Sequence, residues 1–335
     1  MIKNKIKIIA EAGVNHNGSL MIAKQLVKKA KIAGADIVKF QTFDPEKIVT
    51  QNAKLADYQK INNNNKKQIN LLKDLHLTNS QHLQIKSYCD KIGIEFLSTP
   101  FDVDSLKFLI SIGIKRIKIP SGEITNYLLL DYISTLNLPI ILSTGMSNNR
   151  EIADALKILT KRKINKKNIT ILHCNSSYPT PMKDVNLSAI QTIKLQHQVQ
   201  VGLSDHTNGT EIPIAAAAMG AKILEKHFTL DRKLKGPDHK SSLEPIELSY
   251  MIRCVRNIEI AIGNGVKKAS KSEKPNKKIV RKSLVALKAI KKGEIFTYEN
   301  ITAKRPGTGI TPMSVGKFIG RKAKKIYNKD DFIKN

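Results

Sequence analysis

Short apolar runs alternate with longer stretches of helical period along the first 262 residues. The runs are Ile6–Ala10, Ile37–Phe40, Glu95–Leu97, Arg116–Ile119, Pro139–Leu142, Ile169–Leu172, Val199–Leu203 and Ile223–Glu225. Helical patterns follow them near Leu20–Ala33, Ser80–Ile92, Asp104–Ile112, Tyr127–Leu136, Arg150–Leu159, Ser188–Leu195, Glu211–Met219 and Glu247–Ile262. Eight strand-then-helix units in a row predict an α/β chain closed into a (β/α)8 TIM barrel. An open doubly wound sheet seldom carries eight such regular units, and the glycine-rich dinucleotide fingerprint is missing.

Two segments break the rhythm. The connection from Phe43 to Asn79 is long and holds the polar tract Asn62–Asn65. It follows the second strand, which puts it over the C-terminal mouth of a barrel, either as a lid or as a mobile insertion. After Ile262 the chain turns polar and lysine-rich, and 263–278 reads as a linker between a barrel over 1–262 and a small domain over 279–335. That last segment carries the strand-like runs SLVALKAI and EIFTYENITAKRP, so it is expected to be β-rich. At under about 60 residues it is marginal as a free-standing fold.

Barrel enzymes keep their chemistry at the C-terminal ends of the strands, and the unusual polar residues of this chain cluster there. Strand one ends at Glu11. In VKFQTF, alternation puts Val38 and Phe40 on the helix-facing side and Lys39 and Gln41 toward the axis. Strand four repeats this, with Ile117 and Ile119 out, Lys118 in, and Ser121-Gly122-Glu123 following. An inward lysine is costly to bury unless an anion pairs with it; an inward glutamate could be no more than its partner. Thr99, Ser143, Ser176, Tyr178, Ser204 and His206 fall at or just past the ends of strands three, five, six and seven. Strand eight ends in LEKHFT, with Glu225 and His227 on one face. Each residue alone has a bland structural explanation. Together they suit a small, multiply charged anion and a divalent metal.

Charge adds little to this picture. The 57 Lys+Arg against 28 Asp+Glu give a formal charge of +29, but lysine travels with asparagine and isoleucine everywhere, as compositional bias would produce. No nucleic-acid motif or aromatic-interleaved basic stripe is present, so nucleic acid is not an expected partner. Cys89, Cys174 and Cys254 show no CxxC pairing and read as reduced, buried thiols of a cytoplasmic protein. The N-terminus lacks the apolar length of a signal peptide, and no segment approaches the ~20 apolar residues of a membrane span.

At EAGVNHNG, VKFQTF, FLSTPFD, KIPSGE, ILSTGM, YPTP, GLSDHT, EKHFT and GPDH the chain resembles the bacterial sialic acid synthases, the N-acetylneuraminate synthase family. The C-terminal KKGE, ENI and KRPGTGI resemble the type III antifreeze-like (SAF) domain that completes those enzymes. The resemblance spans nearly the whole chain. It implies a synthase condensing phosphoenolpyruvate with N-acetylmannosamine and water, with release of phosphate. The alternative is N,N'-diacetyllegionaminate synthesis from 2,4-diacetamido-2,4,6-trideoxymannose. It further implies that Lys39, Thr99, Lys118, Ser121, Ser143 and Ser204 hold the anion. His206 and His227 would bind a divalent metal, Mn²⁺ before Mg²⁺ or Co²⁺, with Glu11 close by. Gln41, Tyr178 and Asp238 would contact the sugar, and Glu123 would sit beside the reacting carbonyl. Arg305 would reach the sugar's N-acyl group from the partner subunit of a domain-swapped homodimer.

The chain departs from the family's pattern in places. Ser176 stands where some members carry Asn in a phosphate contact, and Asn276 and Ile279 occupy linker positions that touch sugar in some members. SGE after the strand-four lysine differs from the SFE-type motif of the pseudaminate branch, which argues against that product. A synthase taking a sugar phosphate is disfavoured by KRPG and the SAF-like segment. A carbohydrate-binding protein without catalysis would leave the strand-end residues without a purpose.

Overall fold

The computed structural model describes residues 5–55 and 67–334. The tract Asn62–Asn65 therefore lies outside the described residues. Contacts divide the chain into two compact units, Met1–Gly263 and Asn264–Asn335.

The first unit is the barrel. Its strands are β1 (Lys7–Gly13), β2 (Ile37–Thr42), β3 (Glu95–Pro100), β4 (Ile117–Ile119), β5 (Ile140–Ser143), β6 (Ile169–Cys174), β7 (Gln200–Asp205) and β8 (Ile223–His227). The sheet runs β3-β2-β1-β8-β7-β6-β5-β4 with every pairing parallel. β3 and β4 lie side by side, which closes the cylinder. Several strands extend further toward their C-terminal ends than the apolar runs show, because those ends are polar site residues: β1 continues through Glu11 and β3 through Thr99.

Strand alternation sorts the core into two layers. Ile9, Ile37, Leu97, Ile141, Leu172 and Ile223 form a buried cluster inside the barrel. Val38, Phe40, Ile117 and Ile119 point the other way, into the layer between sheet and helices. The expected facing of Lys39 and Lys118 follows from this arrangement. β7 approaches β8 so closely that a Cβ on Gly202 would stand 2.3 Å from the Ile223 carbonyl oxygen, so only glycine fits there.

The helices lie where period and caps place them. α1 (Leu20–Ala33) starts at the Ser19 cap and ends at Gly34 in the left-handed region. The long connection after β2 is not simply a loop. It contains α2 (Pro45–Ile48), capped by Asp44, and α3 (Gln68–Leu75), which buries Ile69, Leu71 and Leu75. α4 (Asn79–Ile92) opens with a Thr78–Gln81 capping box. α5 (Val103–Ser111), α6 (Tyr127–Ser134), α7 (Asn149–Leu159), α8 (Ala189–His197), α9 (Glu211–Ala218) and α10 (Pro245–Ala261) complete the ring. Cys89 and Cys174 are buried as expected, whereas Cys254 is only half-buried on α10. No helix among the described residues is long and apolar enough to cross a membrane.

The second unit begins with a polar stretch that carries a short exposed helix, α11 (Lys274–Val280). Beyond it, β9 (Ser283–Ala286) pairs antiparallel with β10 (Ile301–Lys304). The rest of the expected β structure is reduced to isolated bridges such as Ile290–Tyr327 and Ile295–Lys322. Leu284, Ile290, Phe296, Ile301, Phe318 and Tyr327 supply its own small core.

At the N-terminal end of the barrel, Asp36 ties three elements. It accepts from Lys5 Nζ at 2.5 Å, from the Ile8 N–H at 2.9 Å and from Arg256 Nη2 of α10 at 2.7 Å. Burial pushes the Asp36 carboxyl up, but Lys5, the Ile8 amide and Arg256 outweigh that and hold it below the usual 3.8. A lowered carboxylate pKa gives stability that is present above the unfolded value and lost as pH falls through the folded one. Asp36→Asn should therefore destabilise the protein by about 1–3 kcal/mol at neutral pH. The gap between wild type and variant should close below pH 3.8. Equal denaturant midpoints at pH 7 would remove Asp36 from this role.

Candidate active site

A cavity of about 500 Å³ opens at the C-terminal ends of the strands. Its floor holds four charged side chains, from β1, β2, β4 and β8. Lys39 Nζ lies 3.1 Å from Glu11 Oε2, an ion pair whose alignment falls short of a hydrogen bond, and 3.7 Å from Glu225 Oε1. Lys118 Nζ is 3.7 Å from the same Glu225 oxygen. All four are nearly inaccessible to water. Lys39 also donates to Thr99 Oγ1 at 3.0 Å, Lys118 donates to Ser143 Oγ at 2.7 Å, and Ser204 Oγ donates to Glu225 Oε1 at 2.9 Å.

The two lysines are not equally matched. Burial pushes the Lys39 ammonium down, but Glu11 and Glu225 outweigh it and leave its pKa raised. Burial dominates at Lys118, whose pKa is lowered, with Glu225 giving only partial relief and Lys39 opposing. Glu11 is pushed up to about 7, first by burial, against the pull of Lys39 and with Glu225 adding to the rise. Lys118 is thus a buried lysine whose ion-pair partner, Glu225, is shared with Lys39. An entering anion would supply a further counter-charge.

The rim comes from the turns after the strands. Ser121 and Glu123 sit on a 3₁₀ turn after β4. Ser121 Oγ accepts the Gly145 N–H at 2.9 Å, and Glu123 accepts from Asn126 Nδ2 at 2.6 Å. Burial raises the Glu123 carboxyl. Ser176 faces Gly145 so closely that a Cβ there would lie 2.1 Å from its hydroxyl. Gln41 projects from β2 toward Glu11, Nε2 to Oε1 3.4 Å.

His206 and His227 meet at the cavity wall with ring centroids 5.2 Å apart. His206 Nδ1 is engaged by the Asn175 carbonyl at 2.6 Å. His227 is held neutral, its pKa lowered well below 6.5 by burial and then by His206 and the nearby lysines. Asp238, expected against a sugar, lines the cavity 3.6 Å from His227 Nδ1. Burial lifts its carboxyl to about 6. Tyr178, also expected against a sugar, lies with its ring 4.1 Å from His206 and edge-on to His227 at 5.5 Å. No group of three or more His, Cys, Asp or Glu converges as a metal cage among the described residues. The donor set nevertheless fits a cation completed by water or substrate oxygens. His227 Nδ1 and Glu225 Oε2 are buried polar atoms without a hydrogen-bond partner, and a neutral imidazole is the ligating form.

Fourteen of the fifteen residues singled out by sequence line this one cavity. The exception is Arg305, which belongs to the other unit; it is exposed there and donates from Nε to the Val280 carbonyl at 3.0 Å. Glu225, on the His227 face, pairs with both lysines, as an inward glutamate can. Two further features carry no role in the sequence reading. Cys174 lies 3.9 Å from His206 Nδ1 through its sulfur. An apolar wall of Val14, Phe43, Ile48, Leu71, Leu72 and Leu75 also lines the cavity. Val14 and Phe43 fall inside EAGVNHNG and VKFQTF, whereas the leucines of QINLLKDL lie inside a connection read as polar.

Residues 26–267 match the NeuB family and residues 281–335 match the SAF domain. The chain is 50% identical over 331 residues to an N,N'-diacetyllegionaminic acid synthase of Campylobacter jejuni, covering 98% of this chain and 99% of the relative. It is 44% identical to the enzyme of that name in Legionella pneumophila, covering 93% of this chain and 89% of the relative. The crystal structure of a sialic acid synthetase from Leptospira borgpetersenii, in complex with citrate, aligns over 82% of this chain and 90% of its own, at TM-score 0.73 and 38% identity. With its barrel, its SAF domain and this strand-end site, the chain belongs to the NeuB family of sialic, legionaminic and pseudaminic acid synthases.

Proposed function

We propose that the protein is an N,N'-diacetyllegionaminate synthase. It joins phosphoenolpyruvate to 2,4-diacetamido-2,4,6-trideoxymannose and water and releases phosphate. The observation that carries this is the 50% identity, end to end, with an enzyme named for that product. It displaces N-acetylmannosamine, the sugar that the motifs alone put first, because those motifs are common to both branches.

Each group at the mouth has a part in the chemistry. Lys39, Lys118 and the hydroxyls of Thr99, Ser121, Ser143, Ser176 and Ser204 form the seat for the phosphate and carboxylate of phosphoenolpyruvate. C3 of the enol phosphate forms the new bond to C1 of the open-chain sugar, whose carbonyl oxygen takes a proton. C2 then carries positive charge, water adds there and loses a proton, and the bond from C2 to the phosphate oxygen breaks. Glu123 at the rim and Glu11 on the floor are placed to move those protons. The buried lysines stabilise anionic charge throughout. His206 and His227 would hold a divalent cation, with Mn²⁺ favoured by two imidazoles; it would supply Lewis acidity at the sugar aldehyde. Gln41, Tyr178 and Asp238 border the space left for the sugar. Arg305 would complete the site from the partner of a swapped homodimer, its guanidinium donating to an acyl carbonyl. Three free cysteines suit a reducing cytoplasm.

Phosphate release from phosphoenolpyruvate across a panel of free sugars tests the reading. The diacetamido-trideoxy sugar should give a kcat/KM at least about tenfold above that of N-acetylmannosamine. The reverse order would return the protein to N-acetylneuraminate synthesis.

The metal and the dimer are tested together. Wild type should bind Mn²⁺ in a calorimeter, lose activity in EDTA and regain it with Mn²⁺. His206→Ala should lose both the heat and the activity while its fold persists. Arg305→Ala should lose sugar recognition but keep phosphoenolpyruvate binding. Co-expressed with His206→Ala, it should recover part of the activity, since one site of each mixed dimer is intact. Verified mixed dimers without recovery would exclude Arg305 acting across subunits, and Mn²⁺ heat undiminished in His206→Ala would exclude that ligand.

A further inference from the structure

The cavity has two unlike halves, and only one is accounted for by the chemistry above. Its polar half seats the anion and the reacting carbonyl. The other half is built from four elements: Val14 after β1, Phe43 after β2, Ile48 of α2, and Leu71, Leu72 and Leu75 of α3. These side chains pack as one apolar cluster, in which Leu71 and Leu75 are buried and Leu72 and Ile48 partly buried. Among the described residues no charged side chain stands in that half, where Gln68 is the neutral polar neighbour.

We propose that this wall is the subsite for the C6 methyl group of a 6-deoxy sugar, with Leu72 as a specificity-determining contact. The inference deepens the legionaminate reading and rests on it. An open-chain hexose has its aldehyde at C1 and its sixth carbon at the far end. With C1 beside His206 and His227, the far end of the chain lies in the rest of the same cavity, whose apolar part is the wall of Val14, Phe43, Ile48 and the α3 leucines. A hydroxyl at C6 would meet aliphatic carbon and lose its water without a partner. A phosphate at C6 would meet no cation among the described residues. A methyl group instead removes apolar surface from water on both sides of the contact.

The test varies only C6. Wild type is assayed with 2,4-diacetamido-2,4,6-trideoxymannose and with its 6-hydroxy counterpart, both acetamido groups kept. The 6-deoxy sugar should be preferred in kcat/KM by about tenfold to a hundredfold. Leu72→Asn should narrow that preference to within a few-fold while the KM for phosphoenolpyruvate stays unchanged. Leu72→Met, which conserves volume and polarity, should keep it. If wild type turns over both diacetamido sugars equally well, the subsite is wrong and the legionaminate reading survives. If wild type accepts only N-acetylmannosamine, both fall. If Leu72→Asn retains the full preference, Leu72 is not the contact, and should the asparagine variant fail to fold, the wild-type comparison alone still decides.

Discussion

Two ammonium groups held on the axis of a barrel are the constraint around which this molecule is arranged. Removing such an ion from water costs several kcal/mol even after relaxation. The strands of the mouth answer that cost unequally. Lys39 is offset by Glu11 and Glu225 from β1 and β8, the strands on one side of it, and by Thr99 from β3 on the other. Lys118 has Ser143 and a carboxylate oxygen 3.7 Å away. The two lysines and two glutamates are therefore formally balanced but unevenly matched. In the reading proposed above, a phosphorylated substrate would enter at Lys118 and relieve part of a cost built into the fold.

The same geometry accounts for the neighbours. Glu225 is shared by both lysines through one oxygen and leaves the other without a hydrogen-bond partner two residues from His227. That places a carboxylate oxygen and a neutral imidazole on one face of one strand. The interior cluster of Ile9, Ile37, Leu97, Ile141, Leu172 and Ile223 separates this charged layer from the N-terminal end, where Asp36 and Arg256 anchor the strands' entry. Reactivity and anchorage thus occupy opposite ends of the same strands.

Much of this was legible in the chain. Alternation in VKFQTF and IKI assigned the inward lysines, because a strand's period of two leaves no third choice. The strand-end rule gathered the histidines and hydroxyls. Two things were not legible. Asp238 and Tyr178 sit against the histidines because of how the turns after β6 and β8 fold back, and a sequence does not state turn geometry at that range. The apolar wall was hidden because α3 is short and lies in a segment whose composition is dominated by polar residues; its leucines gain meaning only when Phe43 and Phe101 close beside them. The sugar's identity lay beyond the motifs, since AGVNHNG and KFQTF resemble both the neuraminate and the legionaminate branches.

Calorimetric binding of phosphoenolpyruvate to Lys118→Met decides most directly whether Lys118 is an anion seat or a structural cation. Replacing an under-matched buried ammonium with an apolar side chain of similar length should leave the melting temperature unchanged or higher. Affinity for phosphoenolpyruvate should fall by about tenfold to a hundredfold or more, the loss of a charge-assisted hydrogen bond. A variant that melts lower and binds phosphoenolpyruvate as tightly as wild type would contradict the account.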